Sequence, residues 1–292
     1  MKVLSCVQNK GGVGKTTLTK LLAEWFARRG TRVLVIDLDA QCNLSRRFLT
    51  MRQDTTDPDG VLPPVHPGFD SATDKDWDGI ISSADIYHSG IVVPYPTRID
   101  GVHALPGHGP RLRAIEFSTQ DHARARVLDQ LHAFLAKPDV QEQYDLALID
   151  TAPAKGPLTM SAVRAATHLV IPSVMEQQPI EGLQGMFTLW RAEQRTRNSS
   201  RPLTVAAIQV NLFRKGVGLH EGILQSMRQD TAMGPLISPA ILCQRIAFAE
   251  TDRDGAEPVA VFDLPAKDPA RLEATAMCEH IERQMFAREL GA

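Results

Sequence analysis

Gln8-Asn9-Lys10-Gly11-Gly12-Val13-Gly14-Lys15-Thr16-Thr17 stands between an apolar run, Val3-Leu4-Ser5-Cys6-Val7, and a segment with Leu18, Leu21, Leu22, Trp25 and Phe26 at helical spacing. The order predicts strand, glycine loop, helix. Gly11, Gly12 and Gly14 leave backbone N–H groups uncovered at the positive end of the following helix, so a chain of phosphates can lie against the loop around Val13. Lys15 supplies a charge to the terminal phosphates, the Thr16 hydroxyl is placed to ligate Mg²⁺, and Thr17 is placed for a nearer phosphate.

Further along, Val33-Leu34-Val35-Ile36 is a continuous apolar run suited to a parallel strand buried on both faces, preceded by Gly30 as a helix C-cap. It delivers Asp37-Leu38-Asp39-Ala40-Gln41. Two carboxylates at the carboxyl end of such a strand stand where α/β sheets bind ligands, although helix-capping aspartates in a polar turn have the same pattern. Leu146-Ala147-Leu148-Ile149 is another apolar strand ending in one carboxylate, Asp150, the arrangement that holds Mg²⁺ beside a phosphate loop. Strands are also predicted at 102–105, at 167–172 and at 205–210, the last ending at Asn211, with helical spacing from Arg111 to Ala136 and a last helix from Asp268 to about Glu289. Together these predict an α/β phosphate-loop fold: one domain over residues 1–292, with a mostly parallel twisted sheet and helices on both faces.

Composition bounds the rest. With 292 residues and 43% hydrophobic content, one large α/β core can be buried. From Thr50 to Ile80, seven aspartates against Arg52 and Lys75, with four prolines, mark an acidic insertion at about 50–80, expected to be a long loop or partly disordered. Cys6, Cys42, Cys243 and Cys278 form no C-x-x-C pair and read as reduced structural thiols. The first strand starts at residue 2, so no signal peptide is expected, and no apolar run approaches the roughly 20 residues that cross a bilayer. The nine histidines show no metal-binding spacing. Between Thr188 and Lys215 the charge reverses: Arg191, Arg195, Arg197, Arg201, Arg214 and Lys215 face Glu193 alone. A solvated helix face and a phosphate-binding patch both fit that cluster.

Lys10 to Thr17 resembles the deviant phosphate loop of the ParA/MinD family of ATPases, in which a second lysine precedes the glycines. Asp37 to Gln41 resembles that family's D-x-D-P-Q box, with Ala40 for proline and Cys42 for the following glycine. Asp150-Thr151-Ala152-Pro153 resembles its D-[TC]-P-P, and Glu176 with Pro179 to Leu183 its E-x-x-A-L-E-G-L segment. The resemblance implies a ParA-type ATPase that segregates plasmids or chromosomes, with ATP and Mg²⁺ as cofactors. Lys10 would reach the partner's nucleotide in a homodimer, Asp39 would position the attacking water and Asp37 would brace it. Lys10, Lys15 and Asp39 are then the catalytic set and Thr16, Asp39 and Asp150 the metal set, with Asn211 near the adenine. The resemblance also implies that Arg191, Arg195, Arg197 and Arg201 hold nucleoid DNA non-specifically, that a ParB-type protein stimulates hydrolysis, and that the protein is cytoplasmic and nucleoid-associated, without an N-terminal helix-turn-helix. The alternatives are a MinD-like membrane-positioning ATPase, against which stand five acids facing three arginines in residues 268–292, and a metabolic ATP-dependent enzyme on the same scaffold.

Overall fold

The computed structural model describes the chain except residues 56, 58–59, 89–90, 119–120, 198–200, 251–259 and 287–292, and gives the backbone alone for 121–124 and 177–181. Strand β1 (Lys2–Cys6) leads through the glycine loop into helix α1 (Lys15–Arg28), and β2 (Val33–Leu38) into α2 (Asn43–Phe48). A short pair, β3 (Arg52–Gln53) and β4 (Val61–Leu62), is followed by a 3-10 turn at Ser83–Tyr87, β5 (Tyr95–Pro96) and β6 (Val102–Leu105). Next come α3 (Gly109–Glu116), α4 (Asp121–Leu135), α5 (Pro138–Gln143) and β7 (Leu146–Thr151). The remainder is α6 (Pro157–Ala165), β8 (His168–Val174), α7 (Gln177–Thr196), β9 (Thr204–Asn211), α8 (Gly218–Gln229), α9 (Ile246–Glu250) and α10 (Pro269–Phe286).

The main sheet has seven strands in the order β5-β6-β2-β7-β1-β8-β9, all parallel except the edge strand β5. Every residue of β2 and β7 is buried, as continuous apolar runs in a doubly covered sheet require. Alternate residues feed two cores. Leu34, Ile36 and Ile149 pack with Leu131 of α4, Ala162 of α6 and Met186 of α7, whereas Val33, Val35 and Leu148 pack with Leu21 and Phe26 of α1 and Met277 of α10. Asp37 is level with Asp150, and Cys6 with Asp150 on its other side, so the ends of three strands present one polar rim. All four cysteines are buried and unpaired.

The acidic insertion is, as expected, a long loop over most of its described residues, with local order: β3 and β4 pair antiparallel, and the ring of His66 packs against those of Trp77 and Tyr95 at centroid distances of 5.6 and 4.6 Å. Tyr95 Oη donates to Pro64 O and accepts from Ile81 N, both at 3.0 Å, so one buried phenol closes the segment. The helical run from Arg111 is two helices, α3 and α4. The strand expected at 102–105 is β6, and β5 lies just before it, beyond exposed Ile91. The expected end of the last helix near Glu289 lies outside the described residues. Among the described residues, no helix is long and apolar enough to cross a membrane.

Candidate functional site

The glycine loop turns sharply from β1 into α1. Gly12 and Gly14 have φ of +73° and +88°, and a β-carbon on Gly14 would also stand 2.8 Å from Asn211 Nδ2, so conformation and space both select glycine. Asn211, at the end of β9, donates to Val13 O at 2.8 Å and clips the loop to the sheet, while its own Oδ1 is buried without a partner. Lys15 lies at the first turn of α1 with its ammonium donating to Lys10 O at 3.2 Å. Burial pushes its pKa down, and the carboxylates of Asp150 and Asp39 pull it back up. Lys10 is placed differently: its amine is half-exposed and lies 3.4 Å from Glu176 Oε2.

The carboxylates divide by role. Asp37 accepts from Asp39 N at 3.0 Å, Ser45 N at 2.9 Å and the Ser45 hydroxyl at 2.6 Å, which makes it a brace for the turn rather than a free base. Burial raises its pKa to about 6 against those hydrogen bonds. Asp39 Oδ1 accepts from Gln41 N at 2.9 Å, and Cys42 completes the turn in the left-handed region at φ +53°, where the resembling box has glycine. Asp150 is fully buried. The Thr16 hydroxyl donates to its Oδ2 at 2.6 Å, whereas Oδ1 has no partner. Burial and the neighbouring charge of Asp37 push its pKa well up. A buried carboxylate oxygen with nothing bound to it, beside a hydroxyl, fits a hard divalent cation, whose charge would reverse that shift.

Beside Gly14 and Thr17 opens a largely apolar cavity of about 370 Å³, lined further by Asn211, Leu212, Cys243 and Phe248. It has room for a heterocyclic base next to the phosphate seat. Ser45 is a site residue that sequence reading missed. Its hydroxyl also accepts from Gly107 N at 2.9 Å, tying the Asp37 turn to the end of β6. A serine eight residues after an aspartate carries no motif that would have marked it.

Residues 1–201 match the family model AAA_31, described as an AAA domain. Over 266 residues the chain is 28% identical to the chromosome partitioning protein ParA of Caulobacter vibrioides, covering 90% of this chain and 88% of that one. The chain belongs to the ParA/Soj family of deviant Walker-A ATPases. Among solved structures, this ParA/Soj ATPase resembles apo McdA of Cyanothece with a TM-score of 0.73 at 17% identity, covering 97% of this chain and 99% of that one. It also resembles a cobyrinic acid a,c-diamide synthase of Mycobacterium smegmatis with bound ATP analog and magnesium, with a TM-score of 0.65 at 19% identity, covering 100% and 97%. At such identities these likenesses establish the fold alone.

The four arginines of this ParA/Soj chain do not share one environment. Arg191 and Arg195 are exposed on α7, one helical turn apart. Arg197 is largely buried and bonded to the carbonyls that close α6, so it is not part of the exposed stripe expected from the sequence. Arg201 is exposed, with its terminal nitrogens 2.8 and 3.1 Å from the ring nitrogens of His132.

Proposed function

We propose that this chain works as one ATPase domain, 1–292, that dimerises on ATP, holds DNA non-specifically while paired, and lets go when a ParB-type partner stimulates hydrolysis, so that plasmid or chromosome copies are segregated. The observation that carries the reading is the contrast between the two lysines of the loop. Lys15 is buried at the phosphate seat, whereas Lys10, five residues earlier, has a partly exposed amine against the exposed Glu176. A lysine that solvent reaches beside the phosphate loop is suited to another protomer's nucleotide.

Thr16, Asp150 and Asp39 would hold Mg²⁺, which would supply neutralising charge to the phosphates. The chain's own residues do the rest. The loop from Gly11 to Gly14 seats the phosphates, Lys15 and the partner's copy of Lys10 stabilise the negative charge that develops, and Asp39 orients the attacking water. The apolar cavity beside Asn211 takes the adenine. Phosphoryl transfer demands positioning and charge stabilisation more than covalent help, which this set supplies. Arg191, Arg195 and Arg201 offer exposed guanidinium groups to the DNA backbone, and the ATP-loaded protein is cytoplasmic and nucleoid-associated.

The test is retention of non-specific duplex DNA with ATP, with ADP and without nucleotide, across a salt series. Retention with ATP alone, falling steeply as salt rises, is the expected outcome. Retention that ignores nucleotide, or none in any state, refutes the reading.

A further inference from the structure

We infer that α3 is a strut between the turn carrying Asp39 and the loop that follows Asp150, with Glu116 as the positioning residue at its far end. This deepens the reading of Asp39 as the water-orienting group and rests on it.

The near end of the strut meets the Asp37–Asp39 turn through one hydrogen-bonded relay, just ahead of α3, and one close backbone approach. Gly107 N donates to the Ser45 hydroxyl at 2.9 Å, and that hydroxyl donates to Asp37 Oδ2 at 2.6 Å. At Gly109 a β-carbon would stand 2.9 Å from Ala40 O, so the first turn of α3 touches the backbone of the Asp39 turn directly. The far end is fastened to α6. Gly156, at the N-cap of α6, has no side chain to cap the helix, and Glu116 does this from α3: its Oε2 accepts from Leu158 N at 3.3 Å. The carboxylate sits so close that a β-carbon on Gly156 would fall 1.6 Å from Glu116 Oε1. A negative charge there also faces the positive end of the α6 dipole.

Eight residues of helix span about 12 Å, and buried Leu112 and Ile115 set α3 into the core it shares with Leu158 of α6, so it transmits displacement instead of bending. The loop fastened at Gly156 carries Pro153 past Gly11 of the phosphate loop, near enough that a β-carbon on Gly11 would just meet its ring at 3.9 Å. Motion of the Asp39 turn is therefore conveyed through Ser45, α3 and Glu116 to the loop beside the phosphates. The two nucleotide-facing loops move as a pair.

A double-mutant cycle on steady-state ATP turnover tests this, with Glu116→Ala, Ser45→Ala and the double variant, recording kcat, KM for ATP and Tm. The strut predicts that each single variant lowers kcat more than it changes KM. It also predicts that the double falls short of the product of the singles by roughly 2- to 30-fold, the range of coupling energies between linked sites. Glu116→Gln, which keeps an acceptor for Leu158 N–H, restores most of the rate. Effects that multiply to within about 2-fold overturn the strut, because they leave Glu116 as a helix cap that changes Tm and nothing else. If Glu116→Ala fails to fold, Glu116→Asp, one methylene shorter, takes its place in the cycle. Asp39→Ala separates the two claims: turnover at the wild-type rate refutes the role of Asp39, whereas loss of turnover beside independent Glu116 and Ser45 effects refutes the strut alone.

Discussion

Arg197 donates from Nη1 to Ala166 O at 2.7 Å, and its second terminal nitrogen reaches Val163 O at 2.6 Å and Arg164 O at 2.9 Å. These are carbonyls at the C-terminus of α6, which the helix itself leaves unsatisfied. The guanidinium is further paired with Glu193 at 3.2 Å, where both side chains are nearly inaccessible. One arginine therefore joins the end of α7 to the end of α6.

Removing it should cost stability, not DNA affinity. Arg197→Ala strands several carbonyls and leaves buried Glu193 with Arg164 alone, at 3.7 Å, and should lower the free energy of unfolding by about 1.5–3 kcal/mol, the range for hydrogen bonds to charged groups. Arg191→Ala and Arg195→Ala, on exposed helix surface, should stay within about 0.5 kcal/mol. The last two should instead weaken ATP-dependent DNA retention at every sequence and flatten its salt dependence. Urea unfolding with a salt-dependent DNA titration measures both. A stable Arg197→Ala protein that loses DNA would reverse the assignment.

The two loop lysines should separate binding from turnover. Lys15→Ala removes the charge at the phosphate seat and should abolish nucleotide binding in a fluorescent-nucleotide titration. Lys10→Ala should bind ATP yet lose partner-stimulated hydrolysis by about a thousandfold or more, as removal of a cation supplied in trans does. Phosphate release measured beside the titration shows which step is lost. Equal defects in both variants would count against distinct roles.

Asn211 gives a third test. Asn211→Ala leaves Val13 O without its donor and frees the glycine loop from β9, so nucleotide affinity should fall by about 5-fold, the worth of one neutral hydrogen bond. Asn211→Asp replaces the donor by an acceptor beside the phosphate seat and should fall further. Calorimetric titration with ADP and ATP compares the two. Unchanged affinity in both variants would remove Asn211 from the site.

The parts legible in the sequence were those where chemistry and regular structure coincide. Glycines before Lys15, apolar runs ending in Asp37 and Asp150, and helical spacing from Leu18 each follow from a local rule, and the sheet assembled from them is parallel as the double burial of β2 demanded. What stayed hidden depends on residues distant in sequence. The insertion at 50–80 reads as loop from its charge and prolines, whereas the local order it has comes from His66 packing against both Tyr95 and Trp77 and from the Tyr95 hydroxyl reaching Pro64 O. Arg197 was grouped with its neighbours by charge, and its partners at 163–166 became visible only in space. Glu176 stands in a family-like pattern, but its pairing with Lys10, 166 residues away, is visible only in space. Ser45 and Glu116 act through single hydrogen bonds that no spacing announces.

The pairing of Asp37 with Asp150 across neighbouring strands also constrains how the molecule can change over evolutionary time. With alternate side chains committed to opposite cores, inserting one residue into β2 or β7 would send every side chain beyond it into the wrong core and pull the two carboxylates out of step. Length can therefore vary only beyond the strand ends, in segments such as 50–80, and new specificities are free to accumulate there while the fuel-burning rim keeps its alignment.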